Sequence, residues 1–138
     1  MTTDAPAWLP TGAISELDEK LGIRIVDWTP ERLVATMPVE GNRQPYGLLH
    51  GGATCSLVET IGSYAAAISA GPAAKVVGIE LNASYHRAAT SGDVTATCTP
   101  AGSDADLPVR TFAIEVHDEH DRLTATARLT CMVLSGRD

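Results

Sequence analysis

Apolar positions along this chain switch between helical and strand-like spacing, and the switches divide it into eight elements. In Ile14-Ser15-Glu16-Leu17-Asp18-Glu19-Lys20-Leu21, the residues Ile14, Leu17 and Leu21 share one helical face, and Gly22 closes the segment. Ile23–Trp28 then alternates like a strand. Thr29-Pro30-Glu31 reads as a turn. Arg32–Val39 alternates back, with Leu33, Ala35 and Met37 on one side and Val34, Thr36 and Pro38 on the other, so the two strands predict a hairpin. Gly41–His50 is a loop in which Pro45 biases Gln44 towards extended backbone. A long helix opens at Gly51-Gly52 and ends at Gly71-Pro72. Four β-branched segments follow, Lys75–Tyr85, Asp93–Pro100, Val109–His117 and Arg122–Leu134, joined by polar connections.

The order is short helix, hairpin, long helix and a meander of four strands. It predicts an α+β fold. The long helix is alanine-rich and nearly apolar all round, so it must be enclosed, and a curled antiparallel sheet wrapped around it does so. At 100° per residue, Leu57, Val58, Ile61, Ala65 and Ile68 form the bulky stripe for that sheet. Glu59 lies on another face, with Cys55, Gly62, Ser63 and Ala66 at helical spacing. A length of 138 residues fits one domain over 1–138, with residues 1–12 as a loose arm.

Composition adjusts this picture in a few places. Aromatic residues make up only 4% of the chain, so the core must be aliphatic. A formal net charge of −7 argues against a nucleic-acid partner and against an anionic membrane surface. The cysteines are Cys55, Cys98 and Cys131, with no C-x-x-C, so they read as reduced core thiols rather than a disulfide or zinc framework. The N-terminal residues lack a signal pattern, and the longest apolar stretch is broken by a charge, so cytoplasmic residence is expected.

That charge is the most informative residue. Between Arg43 and Lys75, Glu59 is the only formally charged side chain. A lone buried carboxylate is costly unless it is paired, hydrogen-bonded or protonated, so a chain that keeps one is expected to use it. Its small neighbours leave room for a ligand or a second protein chain. Two turns earlier the helix begins at Gly51, about 12 Å away by helical rise. Unpaired N–H groups at a helix start carry partial positive charge, and glycine lets an oxygen approach them. A backbone oxyanion site with a carboxylate within reach is what acyl transfer to water needs. His117, Asp118, Glu119, His120 and Asp121 invite a metal reading, but the segment reads as a solvated turn, and no metal is expected. Cys55 has no base or cation beside it in the sequence and reads as an inert thiol.

Gly47-Leu48-Leu49-His50-Gly51-Gly52, followed by Glu59 and Ser63, resembles the hotdog-fold acyl-CoA thioesterases. It is most similar to the PaaI-like branch of phenylacetate-pathway and aryl-CoA thioesterases, the 4-hydroxybenzoyl-CoA type with a glutamate on the central helix. Val77-Gly78-Ile79-Glu80-Leu81-Asn82-Ala83-Ser84 resembles the same branch, and the likeness runs from about Leu21 to Leu134. The resemblance implies hydrolysis of an aryl-, arylacetyl- or medium-chain acyl-CoA to free acid and CoA. Glu59 would be nucleophile or general base, and the Gly51 N–H would polarise the carbonyl. His50 would hydrogen-bond nearby, Gln44 would position water or carbonyl, and Ser63 would line the site. The resemblance further implies a homodimer or homotetramer with each site at a subunit seam. There Asn82, Tyr85, His86 and Arg87 would face the partner's helix, with Arg87 near a CoA phosphate. No cofactor is implied beyond the CoA of the substrate; an acyl carrier protein thioester is an alternative acyl donor. Where relatives often carry histidine on this strand, this chain has Tyr85 and then His86, which alternation sends to opposite faces.

Two rival readings differ in chemistry. A hydroxyacyl-thioester dehydratase or hydratase on the same fold resembles a pattern in which histidine moves the proton. A non-catalytic acyl-CoA binder would use Glu59 only as a hydrogen-bond partner.

Overall fold

The computed structural model describes residue 7 and residues 15–29, 31–102 and 106–134. The rest of the arm expected over 1–12, Ile14 of the first helix and Pro30 of the first turn lie outside the described residues.

Helix α1 spans Glu16–Leu21. Its start is fixed by Ser15, whose Oγ accepts the Asp18 N–H at 3.0 Å, and its end by Gly22 at φ 76°. Strands β1 (Arg24–Thr29) and β2 (Arg32–Pro38) form the predicted hairpin, and β2 buries Leu33, Ala35 and Met37 while the alternate residues are half-buried. Helix α2 spans Gly51–Ala70, capped by His50 at one end and by Gly71 at φ 90° at the other. Strands β3 (Lys75–Tyr85), β4 (Asp93–Pro100), β5 (Val109–His117) and β6 (Leu123–Leu134) complete the sheet.

All neighbouring strands pair antiparallel, in the order β1-β2-β4-β5-β6-β3. Helix α2 packs against strands β2 to β6. Leu57, Val58 and Ile61 of α2 are fully enclosed, as are Met37, Val94, Val116 and Leu129 of the sheet. Each such aliphatic side chain contributes about 1.5–3 kcal/mol through burial. Ala65 and Ile68, at the far end of the predicted stripe, are only half-buried.

The expected four-strand meander is corrected by this order. Strands β4, β5 and β6 form a meander, but β3 pairs with β6 at the far edge and β4 pairs with β2. Period-two alternation marks which face a residue takes, not which strand lies beside it. The connection over residues 86–92 is too long for a tight hairpin. It crosses to the other half of the sheet, where the Leu49 N–H donates to the Ala89 carbonyl and the Val39 N–H to the Gly92 carbonyl, both at 2.9 Å.

Strand β3 carries a bulge. Its register against β6 shifts between Gly78 and Glu80, so Ile79 is an extra residue. Before the bulge Val76 packs towards the core; after it, Leu81 and Ala83 do. One residue of slip therefore changes which parity of residue faces α2.

Candidate active site

At the start of α2, His50 shapes the backbone. Its Nδ1 accepts the Gly52 N–H at 2.8 Å, and its carbonyl takes the N–H groups of Ala53 and Thr54 at 3.0 and 3.2 Å. With Nδ1 accepting, a neutral ring holds its proton on Nε2. The Gly51 N–H finds no acceptor among the described residues. It is the open donor that a helix start leaves when its neighbours are capped.

The loop before the helix is pinned by Asn42, which is buried and donates from Nδ2 to the carbonyls of Leu21 and Pro38 at 2.7 and 2.8 Å. Nothing in the sequence pattern singled out Asn42. The Gln44 Oε1 accepts the Tyr46 N–H, and its backbone N–H donates to Leu48 O at 2.8 Å. With its Oε1 accepting, Gln44 has its amide N–H groups left as donors.

Tyr85 reaches this corner from β3. Its hydroxyl donates to the Gly51 carbonyl at 2.8 Å and meets Cys55 Sγ at 3.1 Å. Burial, then the Cys55 contact, pushes the phenol up to about 12, so it stays a neutral donor. His86 turns the other way, its Nε2 meeting Thr126 Oγ1 at 2.8 Å and its N–H donating to Thr124 O at 2.7 Å. The bulge at Ile79 therefore gives the helix start to Tyr85. Arg87 is exposed, and its guanidinium has no acidic partner among the described residues. Gln44, Gly51, Tyr85, His86 and Arg87 border one cleft of about 410 Å³.

Glu59 and Ser63 border a second, more apolar cleft of about 340 Å³, with Tyr64, Ala67 and Val76. The expectation that Glu59 is buried is corrected: in the single chain it is exposed. It lies on the flank of α2 beside β3, the last strand of the sheet, and no further strand covers it. Among the described residues its carboxylate has no hydrogen bond or ion pair. The carboxylate is close to buried Cys131, whose thiol is pushed up to about 11 by burial and by the Glu59 charge, against a hydrogen bond from Ser63.

Two groups in this second cleft were not legible in the sequence. Asp18 is buried and accepts from Thr60 Oγ1 at 2.6 Å, tying α1 to α2. The Tyr64 hydroxyl is enclosed with no hydrogen-bond partner among the described residues, and burial followed by the Asp18 charge pushes it up to about 12. Asn82 lies outside both clefts and donates to Glu80 at 3.1 Å. One chain thus places Gly51 and Gln44 in one cleft, the Glu59 carboxylate in another, and His50 in a third beside Asn42, Arg43 and Gly52.

The acidic turn after β5 is held from within. The Asp118 carboxylate accepts from the His120 and Arg122 N–H groups at 3.0 and 2.9 Å and from Arg122 Nε at 2.8 Å. No described helix is long and apolar enough to cross a membrane.

Known proteins match this architecture. A family model described as the thioesterase superfamily matches residues 46–125, the segment from the helix-start loop into β6. A proofreading thioesterase, EntH, of Cronobacter turicensis is 38% identical over 135 residues, covering 97% of this chain and 95% of that protein. A 1,4-dihydroxy-2-naphthoyl-CoA hydrolase of Escherichia coli is 42% identical over 115 residues, covering 83% of each. The crystal structure of a thioesterase from Haemophilus influenzae superposes with a TM-score of 0.83 at 35% identity, covering 88% of this chain and 85% of that one. A six-stranded antiparallel sheet curled around one helix, together with these likenesses, shows the hotdog fold. The chain belongs to the thioesterase superfamily and is a thioester hydrolase.

Proposed function

We propose that the chain hydrolyses an acyl-CoA thioester, with Glu59 as the reacting acid and the Gly51 N–H as the oxyanion donor. The observation that carries this reading is one helix bearing two unpartnered groups, an N-terminal amide and a carboxylate about 12 Å further along its axis. The substrate carbonyl oxygen rests on the Gly51 N–H, with the Gln44 amide as a neighbouring donor, while His50 holds the turn that presents that N–H by accepting from Gly52. Because about 12 Å separates the two groups within one chain, it is the Glu59 of a second copy that attacks the carbonyl carbon itself or takes a proton from the attacking water. In the first route the C–S bond breaks to leave an acyl anhydride on Glu59, which water then hydrolyses to the free acid and the carboxylate. In the second, water adds and the C–S bond breaks to give the free acid directly. In both, the thiolate leaves and is protonated as CoA.

The separation of the two clefts supports a site completed by a second copy. Strand β3 is a long edge with Val77 and Ile79 exposed, a template for pairing with another edge. Joined there as a homodimer or homotetramer, one copy would bring Asn82, Tyr85, His86 and Arg87 towards the other's Glu59 and Ser63. Arg87, without an acidic partner, would meet a CoA phosphate. The relative named 1,4-dihydroxy-2-naphthoyl-CoA hydrolase supports an aromatic acyl group. Arylacetyl and medium-chain groups, and an acyl carrier protein thioester, fall within the same chemistry. This reading places the enzyme in the cytoplasm, with the pool of CoA thioesters.

The test is a panel of benzoyl-, phenylacetyl-, hexanoyl- and 3-hydroxybutyryl-CoA, followed by thiol release for the wild type and Glu59→Gln. We expect release with at least one thioester and a loss of about 10²–10⁴-fold in the variant. Full turnover by the variant overturns the role of Glu59. Enoyl product without thiol points to a dehydratase, and tight binding without either product to a passive acyl-CoA binder; both overturn the proposal.

A further inference from the structure

We infer that Gly78 is a positioning residue whose missing side chain forms the seat of the Glu59 carboxylate. The inference rests on the reading of Glu59 as the reacting acid. A Cβ built on Gly78 would overlap Glu59 Oε1 and lie 3.0 Å from Cδ and 3.1 Å from Oε2. Alanine and the carboxylate therefore cannot occupy their places together.

The backbone does not ask for glycine there. Gly78 is absent from the glycines with positive φ, so an L-residue can adopt its conformation. Nor does the core ask for it, since Gly78 is exposed on the edge strand. Gly62 is the contrast: it is buried in α2, and a Cβ there would press on Leu129, 2.9 Å from its Cβ. At Gly78 the three nearest atoms all belong to the tip of one flexible side chain, which yields before the backbone does.

The seat also has a floor. Gly78 pairs across the sheet with Cys131, and the Cys131 thiol feels the Glu59 charge. Gly78 precedes the extra residue Ile79, where β3 bends and its register slips. The carboxylate has no hydrogen bond among the described residues, and the space left by this glycine is what lets it lie against β3. An acid displaced by about 1 Å loses rate on the order of 10²-fold while the substrate still binds.

The experiment compares kcat and KM for the fastest thioester of the panel in the wild type, Gly78→Ala, Glu59→Asp, the double variant and Glu59→Gln, with thermal midpoints for each. Gly78→Ala is expected to keep its midpoint and its KM within about twofold while kcat falls about 10²-fold. The double variant is expected to be no slower than Gly78→Ala, because the shorter acid withdraws from the added methyl. Wild-type kcat in Gly78→Ala, additive losses in the double variant, or unfolding of Gly78→Ala would each overturn the seat. Glu59→Gln tells the two failures apart. If it is inactive while Gly78→Ala is fully active, only the seat is lost; if it is fully active, the underlying reading is lost as well.

Discussion

The Tyr85 hydroxyl donates to the Gly51 carbonyl at 2.8 Å, fastening the end of β3 to the first peptide of α2. The same ring stands 3.0 Å from where a Gly51 Cβ would be. Glycine at the helix start thus makes room for a tyrosine from the sheet while its own N–H stays open.

Removing that hydroxyl has a defined expectation. Tyr85→Phe keeps the ring and deletes the hydrogen bond, at a cost of about 0.5–1.5 kcal/mol, with the lower end favoured by the half-exposed setting. The midpoint of urea unfolding should fall accordingly. An unchanged midpoint would show that the bond adds nothing to the fold.

The turn after β5 predicts a pH dependence. Burial alone would raise the Asp118 carboxyl, but the N–H groups of Arg122 and His120 and the Arg122 guanidinium hold it below its ordinary range. A lowered folded value contributes stability that is full above the unfolded aspartate value, about 3.9, and is lost as pH falls through the folded value. Stability of the wild type should therefore decline more steeply below about pH 4 than that of Asp118→Asn. Parallel declines, measured as urea midpoints from pH 5 to pH 2, would contradict this account.

The thiols should separate by reactivity. Burial raises Cys98 to about 12 and Cys131 to about 11, so neither presents thiolate near neutral pH. Cys55 is the partly exposed thiol of the three. An aromatic disulfide reagent at pH 8 should titrate one thiol per folded chain and three after denaturation. Rapid labelling of all three in the native protein would contradict the burial of Cys98 and Cys131.

Much of this molecule was readable along the chain, for a physical reason. Stops and alternation are local, so Gly22, Gly71 and the inward residues of β2 announced themselves. Strand neighbours are not local, and β3 was wrongly expected beside β4. That single misplacement explains the other large difference. Glu59 looked buried because its helix is greasy, but it lies on the flank beside an edge strand, and only the strand order reveals where the edge is. The partners Asn42, Asp18 and Gly78 escaped notice because each acts on residues distant in sequence. The choice between Tyr85 and His86 depended on one extra residue that alternation cannot count.

That extra residue, Ile79, behaves as a parity bit. Deleting it would restore an even register and invert every side chain downstream on the strand, carrying His86 inwards and Tyr85 out. Two chains could therefore present different chemistry at the mouth of the helix while carrying the same residues in the same order, distinguished only by a single insertion well upstream.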